Sequence, residues 1–214
     1  MGAKTWMLAY VEGKASDHLS SDPSLDRQAC AALAAQLFPA ERLEPIADGN
    51  LSYTCPPDNE IYVGCFPGVR IVAAREFGID RPSKLGQHFL AAANGAAVYL
   101  HAMHSVVDWF AYAIWVNGKL QRSLSVSPDN GVIEDIGARL DFEQPFWSGA
   151  QPACDPEDDD NDYPLAFHPL ELGEAALLHL FGYQLEGFME PGHLEPEHIP
   201  LAGFRRARRK WKLW

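Results

Sequence analysis

Three polar side chains have the spacing of a ligand set: His101, His104 and Asp108. On a helix, offsets of three and four put all three on one face, where two imidazoles and a carboxylate suit a divalent metal. On a strand, His101 and His104 point to opposite faces and the set breaks. The neighbours Val98, Tyr99, Val106 and Val107 favour a strand. The two histidines are therefore expected not to share a metal, and at least one is expected to be hydrogen-bonded in a buried setting. Only a bend at His104-Ser105 would reunite them, with His168 as a ligand from elsewhere. Cys55, in the polar run Cys55-Pro56-Pro57-Asp58, is the better placed nucleophile, with His101 or His104 as its base. Cys65 alternates with Val63 and Ile61 as a strand-face thiol.

Other chemistry finds little support. The chain contains no Gly-x-Ser-x-Gly elbow, no Walker loop and no Gly-x-Gly-x-x-Gly turn. Residues 155–162 are strongly acidic but lack the central Gly and closing Glu of a calcium loop, so they read as a solvated connector. No metal and no cofactor are expected. The C-terminus is the opposite case: Arg205, Arg206, Arg208, Arg209, Lys210 and Lys212 accompany Trp211 and Trp214 without an acid among them. Such a tail could touch RNA, an anionic membrane or an acidic protein, or lie on its own acidic body.

The elements that must position these residues follow from periodicity and turn chemistry. Residues 5–11 read as a buried strand. Asp22-Pro23 supplies an N-cap and first-turn proline for a helix with Leu25, Ala29, Leu33 and Leu37 on its stripe, stopped by Pro39. Residues 42–47 read as a returning strand, with a turn at Asp48-Gly49-Asn50. Residues 60–65 and 69–74 form a hairpin about Phe66-Pro67-Gly68. Residues 82–93 make a second helix closed by Asn94-Gly95, and a third starts at His168-Pro169, runs to Phe181 and ends at Gly182. Residues 137–147 have no clear assignment.

The best-specified element is the hairpin of 109–116 and 119–127 about Asn117-Gly118. With those two residues as its loop, Trp115 faces Leu120, Ala111 faces Leu124 and Trp109 faces Val126. The other side sets Phe110 against Ser125, Tyr112 against Ser123 and Ile114 against Gln121. The first strand is then apolar on both faces and central. Tyr112, Ser123 and Ser125 form a half-polar face, a candidate surface for a ligand or partner beside the tail residues Arg205, Arg206, Arg208, Arg209 and Trp211.

Length and composition bound the whole. The chain has 214 residues, 47% of them hydrophobic and 21% charged, which suits a globular domain and not a disordered chain. Its formal net charge of -12 excludes a body-wide nucleic-acid surface and favours a basic protein partner. The longest apolar candidate, 96–116, is broken by His101, His104, Ser105 and Asp108, so no transmembrane segment is expected. No secretory leader is recognisable, and Cys30, Cys55, Cys65 and Cys154 show no disulfide framework, so a reduced cytoplasmic setting is expected. The fold expected is α+β: one domain over 1–204, a mixed, largely antiparallel sheet with about three helices packed on it, and a basic tail over 205–214.

Four stretches occur together here: Gly2-Ala3-Lys4-Thr5-Trp6-Met7-Leu8, Leu51-Ser52-Tyr53-Thr54-Cys55-Pro56-Pro57, His101 through Phe110 (HAMHSVVDWF) and His168 through Leu177 (HPLELGEAAL). In these the chain resembles a bacterial family catalogued only as a domain of unknown function, over nearly its whole length. The resemblance implies a bacterial cytoplasmic single-domain protein and no catalytic residue. Function then rests on the residues. They favour a non-enzymatic protein- or ligand-binding or regulatory module, such as a toxin-neutralising interaction protein. The alternative is a hydrolase, with or without metal, built on His101, His104 and Asp108.

Overall fold

Runs of apolar residues on both faces of adjacent strands force the core to lie on two sides of one sheet. The computed structural model describes residues 2–21, 23–154, 163–187 and 192–207. The strands are β1 (Lys4–Val11), β2 (Leu43–Asn50), β3 (Glu60–Phe66), β4 (Val69–Ala73), β5 (Ala97–His104), β6 (Trp109–Val116), β7 (Lys119–Ser127), β8 (Gly131–Ile136) and β9 (Pro200–Arg206). They form a nine-stranded sheet in the order β2-β9-β3-β4-β1-β5-β6-β7-β8. Every ladder in it is antiparallel. The helices among the described residues are α1 (Ala15–Leu19), α2 (Arg27–Leu37), α3 (Gln87–Ala91), α4 (Gln144–Trp147) and α5 (Pro169–Phe181), five where about three were expected.

One face packs Leu8, Leu100, Ala111 and Trp115 against Leu33 and Leu37 of α2 and Phe89 of α3. The other packs Met7, Met103, Phe110 and Tyr112 against Leu172, Ala176 and Leu177 of α5. Strands β1, β5 and β6 are buried on both faces because helices cover both. Among the described residues, no helix is long and apolar enough to cross a membrane.

The structure corrects several local expectations. The first long helix starts at Arg27, not at Pro23: Asp26 is the cap, its carboxylate accepting the Ala29 N–H at 2.9 Å. Asp22, expected to cap it, lies outside the described residues. Residues 82–93 divide into a 3₁₀ turn, Pro82–Lys84, and the short α3. Asp48-Gly49-Asn50 is not a turn but the end of β2, after a register shift between Ile46 and Gly49. β2 sits at the sheet edge against β9. Residues 137–147 contain a 3₁₀ turn, Asp141–Glu143, and α4.

The most consequential correction is in the β6–β7 hairpin. Asn117 (φ 51) and Gly118 (φ 72) make the two-residue loop, and Val116 pairs with Lys119 and Trp115 with Leu120. Then Gln121 is passed over: Ile114 pairs with Arg122, Tyr112 with Leu124 and Phe110 with Val126. One bulged residue exchanges the two faces of everything beyond it. Arg122 therefore turns towards α5, while Ser123 and Ser125 turn to the α2 face. Tyr112 does not share a face with either serine.

Candidate functional site

His101 is fully buried on β5, facing α5. Its Nε2 lies 2.9 Å from the Gly173 carbonyl and its Nδ1 2.7 Å from Thr5 Oγ1. Because a carbonyl only accepts, the proton belongs on Nε2, and Thr5 donates to Nδ1 while accepting the Met103 N–H at 3.1 Å. Burial pushes the imidazole down to about 4, so it is neutral. His104, three residues on, turns to the α2 face and stacks with Trp6 at 6.5 Å between centroids. Asp108, in the β5–β6 turn with φ 45, lies 3.6 Å from His168 Nε2. The set His101, His104 and Asp108 is thus divided among three environments. Among the described residues, no group of three or more His, Cys, Asp or Glu could hold a metal ion. Cys55 lines a separate depression with Lys4, Tyr53 and Glu186, and no histidine lines it among the described residues. Burial raises its thiol pKa, only partly offset by Lys4, so the thiolate is disfavoured.

His104 instead contributes to a cleft at the turn end of the sheet. Trp6 on β1, His104 on β5 and Trp109 on β6 supply its rings; Asp80, Asp129, Asn130 and Ser127 supply its polar groups; Val107 and Ile133 complete it. The cleft holds about 430 Å³. The Trp109 indole N–H donates to Ser125 Oγ at 3.1 Å, so that ring is fixed. A Cβ on Gly78 would meet Trp6 Nε1 at 2.6 Å, so the bare backbone there is what lets the Trp6 ring lie against it. Burial and the nearby Lys4 both lower the His104 pKa, favouring the uncharged ring. No Lys or Arg lines the cleft among the described residues. Two carboxylates and three aromatic rings, with Lys4 near His104 but outside the lining, make a surface complementary to positive charge.

Beneath the α5 face lies a charged group that the sequence reading passed over. Arg122 is fully buried; its Nε and Nη2 donate to the two oxygens of Glu143 at 2.9 and 2.6 Å. Tyr112 donates to Glu143 at 2.6 Å, and the Leu140 N–H at 2.8 Å. Asp135 pairs with the opposite side of the guanidinium. Glu143 is held below the usual carboxylate range despite burial, through Arg122, Tyr112 and the Leu140 amide. This is structural polarity, well satisfied: Arg122 and Glu143 are closed to solvent, and Asp135 is the member that reaches it. On the α2 face, Ser123 donates to Glu134, which also accepts from Ser83. So the three residues offered as a half-polar binding face, Tyr112, Ser123 and Ser125, are all buried and hydrogen-bonded. An Arg in the buried half of a strand pattern was the one available signal.

Of the tail, Arg205 and Arg206 close β9. Arg205 reaches Glu60 at 2.7 Å, and Arg206 reaches Glu76 and Glu41, each at 2.7 Å. The boundary drawn between 204 and 205 thus falls inside a strand. Arg208, Arg209 and Trp211 lie outside the described residues.

Fold and cleft together define an α+β protein on a single antiparallel sheet, with helices on both faces and an acidic, aromatic cleft at one end. The chain belongs to a family of unknown function, DUF6928, which matches residues 5–204. No curated protein and no solved structure matches it.

Proposed function

We propose that the protein is a non-enzymatic binding module whose cleft between Trp6 and Trp109 takes a cationic side chain of a basic partner. The observation that carries this reading is the lining itself: three rings, the carboxylates of Asp80 and Asp129, and no cation among them. A guanidinium stacked on an indole gains roughly 0.5–2 kcal/mol, and a carboxylate beside it adds direction. The net charge of -12 supports the reading by steering basic partners at low salt. Beside the cleft, Val106 is 73% exposed and Val107 50%, an apolar rim for whatever flanks the cation. The four cysteines are unpaired, which agrees with a bacterial cytoplasmic setting. A hydrolase gains no support from the separated His101, His104 and Asp108.

Tryptophan fluorescence during titration with tetra-arginine at low salt tests this. A saturable change is expected, abolished in Trp6→Ala, weakened several-fold in Asp80→Asn/Asp129→Asn, and absent with tetraglutamate. No saturable response, or equal binding by these variants, would refute it.

A further inference from the structure

A second cavity, of about 770 Å³, opens on the α5 face, lined by α5, Phe146, Gln151 and Pro152, and the segment that follows α5. Its apolar wall comes from Phe146, Leu170 and Leu178. Apart from His168, the charged side chains lining it among the described residues are all carboxylates: Glu171, Glu174 and Glu186.

Glu174 is the informative one. It is only 7% exposed, on the flank of α5 that lines the cavity with Glu171, Ala175 and Leu178. Its Oε2 accepts the Leu185 N–H at 2.7 Å, while its Oε1 has no hydrogen-bond partner. An orphaned buried acceptor is uncommon, because its lost hydration goes unreplaced. The Leu185 and Glu186 amides both favour the ionised carboxylate, but among the described residues no side chain supplies the donor that Oε1 lacks. Glu186 accepts from the Ala3 N–H at 2.9 Å. His168 Nδ1 accepts from the Leu170 N–H, and its Nε2 faces Asp108. Glu171 is a further acid one turn back on α5.

We propose that this cavity binds a protonated aliphatic amine with an apolar body, its ammonium group donating to Glu174 Oε1 between Glu171 and Glu186. The apolar wall takes the chain, and three carboxylates, with no Lys or Arg among the described lining residues, take the charge. The ammonium supplies the donor that the buried oxygen lacks. The site is separate from the Trp6–Trp109 cleft and does not rest on the reading given to it.

The pH dependence follows from the same geometry. Burial pushes Glu174 up to about 7; the Leu185 and Glu186 amides pull it down, and the Glu186 carboxylate pushes it further up. Glu171 and His168 lie on its own side of the cavity, and Tyr183 lies near it in the core. An ammonium ion needs the carboxylate form, so its affinity should rise about tenfold from pH 6 to pH 8.

Calorimetric titration of the full chain with n-hexylamine, and with hexanol as the neutral control, tests this. Saturable binding of hexylamine at millimolar concentration or below is expected, with hexanol at least tenfold weaker. Glu174→Gln keeps the shape and the acceptor for Leu185 but not the charge; it should lose at least tenfold in affinity and the pH dependence with it. Ala175→Phe, which fills the cavity from its wall, should block binding independently. Asp80→Asn should leave hexylamine binding unchanged, and Glu174→Gln should leave the tetra-arginine response unchanged, so the two sites fail separately. The proposal is overturned if hexylamine does not bind, if Glu174→Gln binds it equally, or if affinity rises as pH falls. That last result would mean that protonated Glu174 donates to an acceptor ligand.

Discussion

His101 holds its place by being neutral: one ring nitrogen donates to Gly173, the other accepts from Thr5, and no water reaches either. Protonation would put a second N–H against the Thr5 hydroxyl in a buried site. The folded-state pKa, about 4, lies below the ordinary 6.5, so the unfolded chain binds the extra proton first. Stability from this group is therefore complete above pH 6.5 and is lost as pH falls from 6.5 to 4, by up to about 3 kcal/mol. Urea denaturation of wild type and His101→Gln across that window should show the wild type losing more; parallel curves would refute it. Arg122 presents the converse case. Removing it leaves Glu143 buried with its charge unpaired, so Arg122→Met should cost about 3–5 kcal/mol, and Arg122→Met/Glu143→Leu much less. A double variant as unstable as the single one would show that the pair does not act as a unit. At this scale the spacing of His101 and His104 was legible, since a strand must part them. Their partners were not: Thr5 and Gly173 lie 96 and 72 residues from His101, and a sequence pattern carries no such contact.

The β6–β7 hairpin shows how one element can be half legible. Asn117-Gly118 fixed the loop, and Trp115 opposite Leu120 followed from it. The bulge did not follow, because Gln121 is an exposed polar residue that fits either register locally. What selects the bulge is remote: it points Arg122 at Glu143 and leaves Leu124 and Val126 on the α5 side. Two consequences are measurable. Trp115 is 3% exposed in the α2-face core, so Trp115→Ala should cost about 3–5 kcal/mol, and a smaller loss would remove the hairpin from the core. Deleting Gln121 should be tolerated, since the ladder then runs from Leu120 straight to Arg122 with every later residue on its present face. A loss of about 1–2 kcal/mol with unchanged near-ultraviolet circular dichroism is expected. Collapse of the tertiary signal would mean the bulge itself is required, for instance to seat Gly137, which lies against the Gln121 carbonyl.

For the whole molecule, of the two strands that sequence reading missed, β8 and β9, the second matters most. β9 is short of periodicity, and its two arginines begin a basic run, so local composition outweighs the apolar stretch from Leu201 to Phe204. Its pairing partners, β2 and β3, lie some 140 to 160 positions earlier in the chain. The last described strand thus joins the edge strand β2 to the rest of the sheet. Arg206 fastens that junction. It is half-buried, with one nitrogen shared by both oxygens of Glu76, another beside Glu41, a third donating to the Asp58 carbonyl, and its guanidinium 5.2 Å from the Phe38 ring. Three pieces of chain meet on one side chain. Arg206→Ala should therefore cost about 2–3 kcal/mol, more than an exposed ion pair such as that of Arg205 with Glu60. Arg206→Lys should recover only part, because an ammonium cannot bridge the same acceptors in one plane. Added salt should shrink the Arg205→Ala deficit towards zero and the Arg206→Ala deficit only slightly, since screening acts on exposed charges first. Equal, fully salt-sensitive losses in the two variants would show that the basic residues act through the net charge of the body. A larger and salt-resistant loss for Arg206 would show that they act by joining β9 to the sheet.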